Sequence, residues 1–396
     1  MTTERSTSVS SLSSVSLLET LIAFPSVSLQ PNDGLIAAVQ EILSAAGIAS
    51  TRAPDPEDPR RTNLFASVGP EGVPGVLLSG HTDVVPVEGQ PWTSPPFKAT
   101  HRDGRIYGRG AADMKGFVAC AVTAMVAAAG RPLKRPLQLA LSFDEEIGCV
   151  GVRHLLRRLE GRLPAPYLCI VGEPTLMRIG TGHKGKAAYR AVCCGEAGHS
   201  GLAPQFVNAI HMASDLVASA REVQRELAES GPREEGYGVP YSTVHVGTIQ
   251  GGRALNIVPS ECTLNFEIRN VAQDEPAQIL ERILQNLAAR VKREAQHADA
   301  PLPEVTLRNS YPSLSTPEDA PAVGLLRGLL PEGTPTTKVD YGSEGGLFQQ
   351  SWQQTPVLVC GPGSIAVAHK ADEYVELSQL QACDRMLAGL VDFLCR

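Results

Sequence analysis

Apolar residues recur at helical spacing over residues 17–24 and 34–46, with the turn-forming stretch FPSVSLQPNDG between them. Two apolar runs of strand length follow at 63–68 and 76–80, joined by PEGVPG. The pattern then alternates: a helix over 114–129, a strand at 137–143, a helix over 149–159 and a strand at 167–171. Strands alternating with helices predict an α/β domain, a mostly parallel sheet with helices on both faces. Ligands in such sheets sit at the carboxyl ends of the strands.

Beyond Gly185 the rhythm changes. A polar-alternating strand at 186–194 leads to a long helix over 208–227, strands at 243–249 and 261–268 around QGGRALNIVPS, a helix over 276–295 and a short strand at 304–307. This β-α-β-β-α-β order predicts an inserted α+β unit of the ferredoxin-like kind. The first domain is therefore expected over 1–184, interrupted by 185–311 and resumed over 312–396. There a helix (320–330), a strand (356–360) and a C-terminal helix (377–394) complete it. Two domains also suit the length, because 396 residues exceed what one hydrophobic core usually supports.

Composition narrows the partners. The formal charge of −7 comes from 42 acidic against 35 basic residues, with no long block of either sign. That argues against a nucleic-acid or membrane-surface partner and for a small molecule. Nine cysteines without a CxxC spacing read as reduced core thiols of a cytoplasmic protein, not as a disulfide framework or a thiolate metal site. Cys193 and Cys194 are adjacent on a strand and so point to opposite faces. The Ser/Thr-rich start, MTTERSTSVSSLSSVS, holds no apolar run of signal or membrane-span length. It reads as a frayed tail, with an organelle presequence as the alternative.

The chemistry-bearing residues cluster at strand ends. His81 and Asp83 follow the run that ends in LLSG, and period-two geometry puts both on one side of the chain. The carboxylate can then accept the second imidazole N–H and fix its tautomer, whereas a structural histidine and a turn-capping aspartate are the plainer alternatives. Asp113, in GRGAADMKG, sits where Gly108, Gly110 and Gly116 permit a tight backbone, either to cap a helix or to present one carboxylate to two metals. Asp144, Glu145 and Glu146 close the strand LQLALSF. Three acids there either stay solvated or need a cation, and neighbouring glutamates diverge, which suits one ligand and one base. Glu173 follows YLCIVG, and His369 lies beyond PVLVC in GPGSIAVAHKADEYVE. A parallel sheet would bring all of these to one rim. Two histidines, a bridging aspartate and two further carboxylates suit two divalent ions, zinc first, with cobalt or manganese as alternatives. Held about 3.5–4 Å apart, such ions would activate a shared water and polarise a carbonyl for hydrolysis. Glu145 would be left over as the base.

The segments SGHTDVVP, GRGAADMKG, SFDEEIGCVG, VGEPT, GHSGLAP and AHKADEYVE stand in the order and at the approximate spacings of the di-zinc metallopeptidases of family M20. The chain resembles that family over nearly its whole length. Within it, VGEPTLMRIGTGHKG, YGSEGGLFQ and CGPGSIAVAHKADEYVE resemble the branch that deacetylates N2-acetyl-L-ornithine in arginine synthesis. Enzymes that desuccinylate diaminopimelate or cleave dipeptides are near relatives. Ser343, where that branch has threonine, and the pair Ala366 and Val367 depart from its pattern.

The resemblance implies that His81 and Glu173 complete one metal site and Glu146 and His369 the other. Asp113 would bridge, Asp83 would orient His81 and Glu145 would be the general base. It further implies a homodimer joined through the inserted unit, which would act as a lid and send His199 into the partner's site. Arg269 is a fork-shaped donor matched to a substrate α-carboxylate, with Asn256 beside it and Glu344 meeting a distal ammonium. A surface ion pair for Arg269 and a loop hydrogen bond for Glu344 are the plainer alternatives. A non-catalytic binding protein on the same fold would lack the base or a ligand, and every such position is filled.

Overall fold

The computed structural model describes residues 12–293, 300–353 and 355–396. The chain divides into two compact units, Met1–Gly182 with Leu314–Val339 and Ser343–Arg396, and His183–Ser313 with Asp340–Gly342. In chain order the elements begin with α1 (Ser14–Ile22), α2 (Asp33–Ala45), β1 (Ser50–Pro54), β2 (Thr62–Val68) and β3 (Val76–His81). Next come β4 (Thr100–Arg102), β5 (Arg105–Tyr107), α3 (Gly116–Ala128), β6 (Leu137–Ser142), α4 (Val150–Leu159), β7 (Leu168–Pro174) and β8 (Ile179–His183). The second unit is β9 (Gly185–Cys194), α5 (Ala209–Ser230), β10 (Thr243–Gly251), β11 (Glu261–Asn270), α6 (Pro276–Arg293) and β12 (Glu304–Tyr311). The first unit closes with β13 (Leu314–Ser315), α7 (Pro321–Gly328), β14 (Thr336–Val339), α8 (Gly345–Ser351), β15 (Val357–Gly361), β16 (Tyr374–Glu376) and α9 (Leu377–Leu394).

The large sheet runs β1-β2-β6-β3-β7-β15-β8-β13, with β14 paired to β8. Its centre, β6-β3-β7-β15, is parallel, while β1, β2 and β8 pair antiparallel at the flanks. Helices cover it, so the central strands are buried at every residue and read as continuous apolar runs. The mostly parallel α/β reading thus holds, with its parallel character concentrated in the four strands that carry the chemistry. The segment Ala111–Ala128, which includes α3, is apolar enough to cross a bilayer by length and composition, but 83% of it is buried inside the protein. It is a core helix, packed against α1 and α9.

In the second unit the sheet order is β10-β11-β9-β12, with antiparallel neighbours throughout. Alternation does the sorting here. Ala187, Tyr189, Ala191 and Cys193 of β9 and Cys262, Leu264, Phe266 and Ile268 of β11 face a core shared with Ile279, Ile283 and Leu287 of α6. Cys193 is buried and Cys194 exposed, as the period of two requires.

Two local readings change. Residues 1–11 of the expected tail lie outside the described residues, but its end is not frayed. Ser13 caps α1, its hydroxyl accepting from the Ser16 amide at 3.1 Å in a reciprocal capping box. The short hairpin β4–β5 was not anticipated, although its turn residues Asp103 and Gly104, both at positive φ, form the Asp-Gly pair that two-residue hairpins favour.

A small residue lets α3 approach the central sheet. At Gly172 of β7, just before Glu173, an added Cβ would lie 1.9 Å from Cγ of the buried Phe117. Gly172→Ala should therefore lower unfolding free energy by ~1–3 kcal/mol in denaturant titrations, the range for an overpacked core. Adding Phe117→Leu should recover part of that loss, and an alanine cost independent of residue 117 would contradict the packing argument.

Candidate metal centre

Parallel pairing aligns the carboxyl ends of β3, β6, β7 and β15. His81 is the last residue of β3, opposite Ser142 in β6, and Glu173 lies at the end of β7. Glu145 and Glu146 follow β6 in the turn into α4, and His369 follows β15 in a loop, at φ 61°. Asp113 arrives from a turn ahead of α3 that opens on Gly110 at φ 81°, where a Cβ would strike Val84. The Asp113–Met114 peptide is cis.

These side chains meet. Nε2 of His81 lies 3.1 Å from Oδ1 of Asp113 and 3.7 Å from Oε1 of Glu173. Nε2 of His369 lies 3.2 Å from the other oxygen of Asp113 and 3.1 Å from Oε2 of Glu146. Asp113 therefore turns one oxygen to each imidazole. Glu145 joins the same cluster beside His81 and Glu173. On the far side of His81, Nδ1 donates to the backbone carbonyl of Asp83 at 2.9 Å, which leaves the Nε2 lone pair for a ligand. The Asp83 carboxylate stands at 3.6 Å from Nδ1 as an ion-pair partner. Its direct hydrogen bonds go elsewhere, accepting from Ser28 Oγ at 2.8 Å and from the amides of Glu145 and Glu146 at 3.0 and 3.3 Å. Asp83 thus ties the end of β3 to the turn that carries the two glutamates.

Charge explains the proton affinities. Burial raises Glu145 and Glu173 well above the ordinary carboxylate range, and neighbouring carboxylates add to it. Burial also works to raise Asp113, but its bonds to His369 and His81 outweigh that and hold it well below. Burial opposes a charge on His81, yet Asp113, Asp83 and Glu173 raise it well above its usual value. Two imidazoles that turn Nε2 to the two oxygens of one shared carboxylate, with three further carboxylates buried or half-buried around them, form a donor set that fits a pair of divalent cations once the imidazoles give up those protons.

Glu344 lies in the same unit, 1% exposed, accepting from Ser79 Oγ at 3.1 Å, with the Ser142 hydroxyl also interacting with its carboxylate. Burial lifts it to about 7. His199, Asn256 and Arg269 belong to the other unit. There the Ser200 amide donates to the carbonyl of Asn256 at 3.1 Å, so the turn of His199 and Asn256 adjoin. The Gly201 amide donates to Nδ1 of the exposed His199 at 3.0 Å, which puts the ring proton on Nε2. Arg269 makes the ion pair considered above, Nε to Oε1 of Glu267 at 3.0 Å, and Nη1 donates to the Tyr311 hydroxyl at 2.8 Å. With Nη2 to Oε2 of Glu267 at 3.5 Å, one N–H on each terminal nitrogen is left as an outer fork.

Sequence reasoning missed three supports. Asp144, read with its neighbours as a strand-end acid, is 1% exposed and paired with Arg61 at 2.6 Å, while the Leu29 amide donates to it at 2.6 Å. Ser28 and Glu373 were also passed over. The only signal for Glu373 was an acid four residues beyond His369, a spacing that a solvated loop shares.

Comparison with known proteins bears on this arrangement. The model of "Peptidase family M20/M25/M40" matches residues 77–392. An acetylornithine deacetylase from Yersinia pseudotuberculosis is 31% identical over 392 residues, covering 96% of this chain and 97% of its own. One from Photorhabdus laumondii is 32% identical over 387 residues, with the same coverage. Among solved structures, aminopeptidase PepT from Bacillus cereus superposes with a TM-score of 0.76 at 17% identity, covering 97% of this chain and 98% of its own. A dinuclear metal-binding peptidase of the M20 family from Bacillus subtilis gives 0.69 at 15% identity, covering 96% and 97%.

The cluster makes stability depend on pH when no metal is present. Burial and Asp113 raise Glu146 from 4.5 to about 7, and Asp113 and Glu146 raise His369 from 6.5 to about 10. Both raised values mean that the folded chain holds these protons more tightly than the unfolded chain. Their stabilisation is complete below the unfolded values and is lost as pH climbs through about 7 and then about 10. Thermal unfolding of chelator-treated protein should therefore show Tm falling over this interval, and added zinc, which needs the donors deprotonated, should reverse the trend. A metal-free Tm that rises with pH there would contradict the geometry.

Proposed function

The chain belongs to the peptidase family M20/M25/M40, and on that premise we propose that it is a two-metal hydrolase that cleaves the amide bond of an N-acyl-L-amino acid. N2-acetyl-L-ornithine is the substrate we assign, giving ornithine for arginine synthesis in the cytoplasm. The observation that carries the reading is Asp113, whose two oxygens face Nε2 of His81 and Nε2 of His369 at 3.1 and 3.2 Å. Similarity to acetylornithine deacetylases over 96% of the chain supports the amide-hydrolase class, and within it this substrate is our assignment.

In this reading His81 and Glu173 hold one ion, Glu146 and His369 the other, and Asp113 both. Two such ions, zinc by the nature of the donors and cobalt or manganese as substitutes, would polarise the amide carbonyl and acidify an attacking water. Glu145 takes the proton from that water and returns it to the leaving amine. Asp83 keeps the His81 proton on Nδ1 and holds the Glu145 amide, so the base and one ligand share a support. We assign the outer fork of Arg269 to the substrate α-carboxylate and the Glu344 carboxylate to the distal ammonium. Asn256 is not beside Arg269 as expected, because Arg269 pairs with Thr243 at one end of the β10–β11 hairpin while Asn256 lies in the connection at the other end, with the turn of His199. His199, with its proton on Nε2, is suited to donate to the developing oxyanion. We assign that donation to the inserted unit of a second copy in a homodimer.

Glu145→Ala should retain bound zinc while turnover falls by about 10²–10⁴, the usual worth of a positioned base. Undiminished turnover would remove Glu145 from that role. Substrate choice is read by amine release from N2-acetyl-L-ornithine, N-succinyl-diaminopimelate and a dipeptide, with the first expected to give the highest kcat/KM. Glu344→Gln should raise KM for the ornithine substrate and leave an apolar N-acetyl amino acid unaffected. An equal loss on both would make Glu344 a support of the buried cluster and not a specificity residue.

A further inference from the structure

We propose that Gln90, Arg109 and Glu373 form a positioning network that acts chiefly on the His369 side of the metal centre. The proposal rests on the reading of Asp113 and His369 as ligands.

Glu373 and Arg109 are each 1% exposed and ion-paired at 2.7 Å. Both oxygens of Glu373 are fully used. Oε1 accepts from the amides of Ala112 and Asp113 at 2.9 and 3.0 Å, and Oε2 from the Gly110 amide at 3.0 Å and from Nη1 of Arg109. One carboxylate thus captures the turn that delivers Asp113, including the amide of Asp113 itself. Arg109 carries the connection onward. Its Nη1 also donates to the Lys370 carbonyl at 3.2 Å, its Nη2 donates to Oε1 of Gln90 at 2.5 Å, and its guanidinium lies 5.1 Å from the Trp92 ring. The side-chain Nε2 of Gln90 then donates to the carbonyl of His369 at 3.1 Å. The Asp113 amide and the His369 carbonyl are therefore held by one continuous set of hydrogen bonds.

That linkage bears most on the His369 side, since Asp113 is common to both but the His369 loop has fewer other supports. His81 and Glu173 stand at the ends of adjacent central strands, His81 paired with Ser142 in β6 and its ring held by the Asp83 carbonyl. His369 sits in a loop, at a positive φ that residues other than glycine seldom adopt, and its side chain is 49% exposed. A donor so placed keeps its 3.2 Å spacing from Asp113 only if both backbones are held. Supports of this kind typically alter metal affinity by about 10–100-fold when removed.

The test is calorimetric titration of zinc chloride into chelator-stripped protein, with the unfolding transition of each metal-free form recorded alongside. Wild type should load two ions, and His369→Ala should abolish the weaker event. Glu373→Gln puts an amide group among N–H donors, and Gln90→Met, at a half-buried position, removes the bonds to His369 and Arg109 together with one from Trp92 Nε1. Each should weaken the second event by about 10–100-fold and the first by clearly less, because Asp113 is shared. If Glu373→Gln does not fold, Gln90→Met decides. Wild-type affinity at both sites in these variants, or equal weakening of both, overturns the network while the metal assignment stands. Failure of wild type to load a second ion, or of His369→Ala to lose it, overturns the ligand reading and the network with it.

Discussion

The arrangement depends on a concentration of negative charge that the protein cannot hold alone. Asp113, Glu145, Glu146 and Glu173 converge in one buried cluster, with Glu344 near enough to raise the proton affinity of Glu145. Two like charges about 4 Å apart repel by roughly 4 kcal/mol even at an effective dielectric near 20. A domain has only about 5–15 kcal/mol of stability in total. A few such pairs would exhaust it. The cluster must take up protons or bind cations, and two imidazoles facing one shared carboxylate are a donor set for cations. A site that attracts two ions in this way is also equipped to polarise a carbonyl and acidify water, so what makes the cluster costly when empty makes it useful when filled.

The surrounding fold converts that constraint into geometry. Parallel pairing of β6, β3, β7 and β15 points four carboxyl ends the same way. Backbone groups then do much of the aiming. The carbonyl of Asp83 sets the His81 tautomer, and the amides of Glu145 and Glu146 lean on the Asp83 carboxylate. Main-chain groups suit this work because their positions follow from the strands and turns, whereas a long side chain would need support of its own.

Much of this was legible in the sequence. Apolar runs of strand length alternating with helices announced the central sheet, and β-α-β-β-α-β order announced the second unit. The acids and histidines at strand ends were visible because chemistry confines them there. What stayed hidden was of two kinds. Short pairings such as β1 or β4–β5 hold too few residues to display a period. Supports such as Glu373, Arg61 and Ser28 have partners dozens to hundreds of positions away, and no local pattern distinguishes them from solvated polar residues. Asp83 shows the intermediate case: its place beside His81 follows from the period of two, but its carboxylate is engaged by Ser28 and by two amides from another strand's end.

The central claim is that Asp113 bridges two ions, one held with His81 and Glu173 and one with Glu146 and His369. Anomalous diffraction at the zinc edge from crystals of zinc-loaded protein tests it directly. The account predicts two peaks roughly 3.5–4 Å apart with one Asp113 oxygen on each. A single peak, or two that do not share Asp113, would contradict it.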